Sequence, residues 1–203
     1  MYIALAGIDG CGKDTQADLV AEWASKQGYP VLRTAEPNSE LPTGKLLRQL
    51  LKSGELTNCH AALFLADRMA LQQAKLIPWL EKNNSGYVIS ARCFLSTLVY
   101  QQDQWPLDWL FSIHSQMLLV PNKIIILDLD AEEAAERMLR RNIHSECYDR
   151  LSTQKRNRQR YHELVEDPRL QKLLGPFGEV HLVDASGTAE ETHQRVMQAL
   201  NKD

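Results

Sequence analysis

Seven residues near the start of the chain, Gly7-Ile8-Asp9-Gly10-Cys11-Gly12-Lys13, constrain the fold more than any other part of the sequence. They fit the spacing G-x-x-x-x-G-K. Before them lies a short apolar run, Tyr2 to Ala6; after them Gln16, Leu19, Val20 and Trp23 recur at helical spacing up to Gly28. A strand that ends in such a loop and continues as a helix aims backbone N–H groups and the positive end of the helix dipole at one spot, and Lys13 adds a mobile cation. That combination cradles phosphates. Gly7, Gly10, Cys11, Gly12, Lys13, Asp14 and Thr15 are the candidate phosphate-binding residues, with Lys13 expected to be exposed in the loop and to reach the β and γ phosphates. Where a Ser or Thr hydroxyl usually meets Mg²⁺ after the lysine, this chain has Asp14, followed by Thr15. A carboxylate there is a hard-oxygen metal ligand or a helix cap, and both roles stay open for Asp14.

The rest of the chain alternates strand and helix. Val31 to Thr34 reads as a second strand, Leu46, Leu47, Leu50 and Leu51 as a short amphipathic helix, Asn58 to Lys82 as one long helix with Pro78 near its end, and Tyr87 to Ser90 as the third strand. Helical patterns cover Phe94 to Gln104 and Leu107 to Leu119. Lys123 to Leu129, with three consecutive isoleucines, fits a strand buried on both faces. Asp130 and Glu133 fit a capping box for a helix over Ala131 to Arg141. A polar segment, Asn142 to Asp149, leads into a helix ending near Val165; Val180 to Val183 is the last strand and Thr188 to Leu200 the closing helix. The expected fold is α/β, a doubly wound five-stranded parallel sheet flanked by helices, in one domain over residues 1–203. Right-handed crossovers gather the strand C-terminal ends, and the site, along one edge.

The apolar fraction of 44% is ordinary for a folded globule, and a net charge of −3, from 23 Lys and Arg against 26 Asp and Glu, argues against stable nucleic-acid binding or an anionic-membrane surface. Cys11, Cys59, Cys93 and Cys147 fall in no metal-like spacing, so reduced thiols, no disulfide and no structural zinc are expected. The N-terminus lacks the features of a signal peptide, and no stretch approaches the ~18 apolar residues of a membrane span. A cytoplasmic location with no membrane contact is the expectation.

GIDGCGKDTQ, read with FLADR at 64–68 and ARCFLSTLVYQ at 91–101, resembles the thymidylate kinase family of nucleoside monophosphate kinases. The resemblance covers nearly the whole chain in order and spacing, including EP at 36–37, LDLDAEEAAERM at 127–138 and DR at 149–150. It implies a P-loop kinase with a short lid, ATP- and Mg²⁺-dependent transfer to dTMP giving dTDP, and a homodimer. By the same resemblance Asp9 holds the acceptor's sugar hydroxyl and helps order the metal and phosphates, and Glu36 and Pro37 form a loop beside the acceptor. Phe64 stacks on the thymine, Arg68 reaches a base carbonyl from one helical turn further on, and Arg92 clamps the acceptor phosphate. Ser96 and Thr97 edge the base, and Tyr100 packs under the sugar where it disfavours a 2′-hydroxyl. Arg137, Arg141 and Arg150 bracket a lid at about 142–150, and Arg150 joins Lys13, Asp9 and Arg92 as a catalytic candidate.

The residues also admit plainer roles: core packing for Phe64 and Tyr100, a surface ion pair for Arg68, a solvated helix face for the lid arginines. Two positions depart from the family pattern. Ala91 stands where an Asp usually precedes the arginine after the third strand, and Ala35 and Asn38 flank Glu36-Pro37 where an arginine is common. The acceptor phosphate is thus expected to have few positive partners, with Asp14 close enough to share the missing carboxylate's work. Three readings remain: a dTMP kinase, a P-loop kinase for another or modified pyrimidine deoxynucleotide, and a nucleotide-binding protein that has lost transfer activity.

Overall fold

The computed structural model describes residues 1–117, 119–140 and 150–201. Strands β1 (Tyr2–Ala6), β2 (Val31–Ala35), β3 (Tyr87–Ala91), β4 (Lys123–Asp128) and β5 (Glu179–Asp184) form one sheet in the order β2-β3-β1-β4-β5, with every pair parallel. This is the five-stranded parallel sheet expected from the alternating pattern. Every residue of β1 is buried, as are Ile124 to Leu127 of β4, because helices cover both faces of the central strands. Central β1 is flanked by β3 and β4, so the loops that follow these three strands meet at one sheet edge.

Helix α1 (Lys13–Lys26) packs on β1, β2 and β3 and against the last helix, α10 (Ala189–Leu200). Helix α2 (Pro42–Ser53) is longer than its leucines alone define, because Pro42 starts it and Gly54, at φ 69°, stops it. The single helix expected over Asn58 to Lys82 is instead broken. It begins as a 3₁₀ turn (Thr57–Cys59), continues as α3 (His60–Leu71), widens into a π turn (Gln72–Leu76) and ends as α4 (Ile77–Lys82). Pro78 would clash with the carbonyl of Ala74 in an unbroken α-helix, and the wider turn relieves that clash. Gln72 holds the widened turn in place: its Nε2 donates to Leu119 O at 2.6 Å and its Oε1 accepts from the Leu119 N–H at 3.2 Å.

Helices α5 (Phe94–Tyr100) and α6 (Leu107–His114) stop short of their expected ends, and α7 runs from Ala131 to Arg140. The expected capping box at its start does not form. Asp130 accepts from the Glu132 N–H at 2.9 Å, but Glu133 turns along the helix to Arg137 at 2.7 Å. A complete box closes the start of α10, between Thr188 and Glu191. Helices α8 (Leu151–Val165) and α9 (Pro168–Leu174) precede β5; α9 buries Leu170 and Leu174, and Asp167 caps its start by accepting from the Arg169 N–H.

Candidate active site

The loop between β1 and α1 lies against α7. Gly10 has φ 86°, and a side chain there would put its Cβ 2.3 Å from the carbonyl oxygen of Ala134, so only glycine fits. Lys13 is not exposed as expected; it is buried, with 5% of its surface accessible. Its ammonium donates to Gly7 O at 3.1 Å, Ile8 O at 2.7 Å and Asp9 Oδ1 at 3.3 Å, because the loop curls around its own cation. Asp14 is exposed and pairs with Arg33 of β2 at 3.2 Å. Gly12 is the N-cap residue of α1 and no side chain caps that helix, so the capping role for Asp14 falls away.

Asp9 is where the parts of the site meet. Its Oδ1 takes Lys13 and also Arg92, and its Oδ2 accepts from the Tyr100 hydroxyl at 3.1 Å. Its backbone N–H donates to Gln154 of α8 at 3.2 Å. Burial by itself would raise the carboxyl's pKa, but Arg92 and Lys13 outweigh it and hold Asp9 well below the ordinary value of 3.8. The carboxylate is therefore ionised at neutral pH. Arg92 follows β3 in the left-handed region, at φ 73°, a conformation that costs a non-glycine residue about 1 kcal/mol. The turn sets its guanidinium 5.6 Å from the centre of the Tyr100 ring and onto Asp9.

A cleft opens beside Asp9, lined by Pro37, Phe64, Arg92, Ser96 and Tyr100. Leu51 and Gln101 line it as well. Phe64 is half-buried at the cleft and is not among the residues of the main core. The surface pair considered for Arg68 is not formed; the side chain is almost wholly buried, 2% exposed, and is not among the residues that line the cleft. It binds Glu36 through Nη2 at 2.5 Å and Nε at 2.8 Å, donates to Thr97 Oγ1 at 3.3 Å, and meets His114 Nε2 at 2.9 Å. Ser96 Oγ lies 3.3 Å from the hydroxyl of Tyr161.

A second, adjoining cavity is bounded by Asp14, Ala35, Glu36, Arg48, Ala91 and Arg92. Arg48 was not anticipated: on the polar face of the amphipathic α2 a cation reads as solvated. Its Nη2 donates to Pro37 O at 2.6 Å, so it stands at this cavity as a second arginine beside Arg92. Sequence did carry one signal, Gly44. A Cβ there would lie 1.8 Å from the carbonyl oxygen of Asn38, so α2 sits directly against the Glu36-Pro37 loop. Asn38, where the family commonly has a cation, is structural: its N–H donates to Asp67 at 2.8 Å, and its side chain accepts from the N–H groups of Glu40 and Leu41.

Among the lid candidates, Arg137 donates through Nη2 to Ala185 O at 3.1 Å and Gly187 O at 3.0 Å and so ties α7 to the loop after β5. Arg150 is exposed at the N-cap of α8. Arg141 and 142–149, and with them most of the expected lid, lie outside the described residues. No group of three or more His, Cys, Asp or Glu that could hold a metal ion exists among the described residues. A Mg²⁺ ion carried by nucleotide phosphates needs only one or two protein carboxylates. Exposed Asp14, at the rim of the Arg48–Arg92 cavity, fits that need, whereas both oxygens of Asp9 are engaged by Lys13, Arg92 and Tyr100.

Comparison with known proteins places the chain in one family over nearly its whole length. The thymidylate kinase family model matches residues 5–196. A protein named probable thymidylate kinase from Thermococcus gammatolerans is 33% identical over 208 residues, covering 97% of this chain and 94% of its own. One of the same name from Pyrococcus abyssi is 34% identical over 204 residues, covering 97% and 93%. A third, from Methanothermobacter thermautotrophicus, is 37% identical over 142 residues, covering 68% and 69%.

Proposed function

The chain belongs to the thymidylate kinase family, and from that premise we propose which of its residues serve each side of the reaction. The reaction is phosphoryl transfer from ATP to dTMP, giving dTDP and ADP, and the chain is a nucleoside monophosphate kinase. An oxygen of the dTMP phosphate forms a bond to the γ-phosphorus of ATP as the bond between that phosphorus and the β,γ-bridging oxygen breaks, with the leaving charge staying on ADP. The acceptor phosphate is already an anionic nucleophile, so no general base is required.

One observation carries the assignment of roles: a single carboxylate, Asp9, touches Lys13 of the loop and Arg92 and Tyr100 of the cleft. The loop, with Gly7, Gly10, Cys11, Gly12, Lys13 and Thr15, receives the triphosphate, and Lys13 leaves its carbonyl cradle to meet the transferred group. Arg92 and Arg48 neutralise the acceptor phosphate. Arg48 offsets the charge missing at Ala35 and Asn38 and so weakens the case for lost activity. Phe64 stacks on the base, Arg68 donates to its carbonyl, and Tyr100 excludes a 2′-hydroxyl. Among the described residues Asp14 is suited to hold Mg²⁺, which would supply charge neutralisation on the phosphates when bound. Arg137, Arg141 and Arg150 are assigned to the donor side and to a lid at 142–150.

The cytoplasm, a homodimer and no stable nucleic-acid binding complete the proposal. The negative net charge supports the last of these, family resemblance supports the dimer, and no described helix is long and apolar enough to cross a membrane. A coupled ADP-release assay across nucleoside monophosphates tests the assignment. Turnover should be highest with dTMP; equal turnover with dCMP or with ribonucleotides would overturn the cleft roles.

A further inference from the structure

We propose that His114 is a positioning residue that sets acceptor-base specificity. Its ring fixes the Arg68 guanidinium so that one N–H is left to donate to a carbonyl of the pyrimidine. The proposal rests on the reading above that Arg68 serves the base.

A guanidinium has five N–H groups. In Arg68, Nε and one N–H of Nη2 go to Glu36 at 2.8 and 2.5 Å, the other of Nη2 to Thr97 Oγ1 at 3.3 Å, and one of Nη1 to His114 Nε2 at 2.9 Å. That leaves the second N–H of Nη1 for a ligand. Which hydrogen remains depends on the atom that takes its twin. His114 Nδ1 lies 2.6 Å from the carbonyl oxygen of Leu110, one turn back along α6, so Nδ1 carries the proton and donates. Nε2 is therefore a bare acceptor, the form that matches an arginine. The ring is wholly buried and leans on Phe94 at a centroid distance of 6.1 Å, so it has no freedom to turn away. Burial, with Arg68 second, pushes the imidazole down to about 3, which keeps it neutral at physiological pH.

The chemical consequence is selective. Thymine and uracil offer a carbonyl acceptor where cytosine offers an amino donor, and a fixed N–H rewards the first and repels the second. Without the acceptor at position 114, Nη1 has two unpartnered N–H groups in a buried place. The guanidinium can then rotate about its bonds to Glu36, and its orientation toward the base is lost.

The test is kcat/KM for dTMP and dCMP with four proteins: the unaltered chain, His114→Leu, His114→Gln and Arg68→Ala. His114→Leu should lower the dTMP-to-dCMP ratio about tenfold, through KM for dTMP, while kcat stays within about threefold. His114→Gln places an amide oxygen near the Nε2 position and should keep the ratio within about threefold of the unaltered chain. A merely structural role would scale kcat for both acceptors and leave the ratio fixed. An unchanged ratio in His114→Leu, with the ratio lost in Arg68→Ala, overturns the role of His114 alone, as does equal loss in His114→Gln. An unchanged ratio in Arg68→Ala overturns the base contact of Arg68 and this proposal with it. If His114→Leu does not fold, ¹⁵N NMR of the unaltered protein decides: a neutral ring protonated at Nδ1 from pH 5 to 8 supports the proposal, and a charged or Nε2-protonated ring overturns it.

Discussion

Replacing Asp9 by Asn removes the one charge on which Lys13, Arg92 and Tyr100 converge while keeping the side chain's shape. Breaking a fully buried ion pair costs about 3–5 kcal/mol, and breaking an exposed one about 1 kcal/mol or less. The Arg92 and Asp9 side chains are 25% and 19% exposed, so the variant should lose about 2 kcal/mol, between those limits. For a chain of this length that lowers Tm by about 4–8 °C. Catalysis suffers more. Two charge-assisted contacts at about 1.5 kcal/mol each correspond to roughly a hundredfold loss in kcat/KM for dTMP. The stability loss has a definite pH dependence. Asp9 is more acidic in the folded protein than its ordinary 3.8, so its contribution is complete above that value and disappears as pH falls toward the folded value. The Tm gap between Asp9→Asn and the unaltered protein should be constant from about pH 6 to 8 and shrink below about pH 4. Thermal unfolding across pH, with steady-state kinetics at neutral pH, measures both effects. Equal Tm at pH 7 together with kcat/KM within threefold would refute Asp9 as the junction of the site.

Three further substitutions separate the remaining roles. Lys13→Ala should cut transfer by about a thousandfold or more at a stability cost near 1 kcal/mol, because Asp9 keeps Arg92; near-normal turnover would remove the loop lysine from the reaction. Tyr100→Ala should lower the preference for dTMP over its ribose counterpart by about tenfold in kcat/KM, and an unchanged ratio would show that the ring does not exclude the 2′-hydroxyl. Asp14 and Ala91 bound one cavity, so Asp14→Ser should lower activity and Ala91→Asp alone should help little, while the double change recovers at least the starting kcat/KM. Additive effects in that cycle would mean that Asp14 does no part of the missing carboxylate's work.

The strands were legible because β1, β3 and β4 are short, apolar and bounded by polar turns, and burial on both faces leaves little else for such runs to do. The phosphate loop was legible because its glycines take backbone angles that other residues rarely adopt, as Gly10 does at φ 86°. What escaped depends on partners distant in sequence. Gln72 sustains a π turn through Leu119, 47 residues away, and a helix-period pattern carries no trace of that bond. The plainer role open to Arg68, a surface ion pair, fails because Glu36, 32 residues away, makes its burial tolerable. Arg48 was hidden by the opposite error, since the polar face of an amphipathic helix gives no sign that another loop will lean on it. Lys13 was placed correctly in the chain and wrongly in solvent, because the inward carbonyls of Gly7 and Ile8 exist only once the loop has closed.

The central claim is that this chain moves the γ-phosphoryl group of ATP to dTMP, and product identification by ³¹P NMR tests it most directly. With ATP, Mg²⁺ and dTMP the account predicts the signals of dTDP and ADP growing in equal amounts as ATP and dTMP fall, and growth slowed about a hundredfold in Asp9→Asn. ATP consumed to inorganic phosphate with no dTDP formed, or no consumption at all by a folded chain that binds both nucleotides, would contradict it.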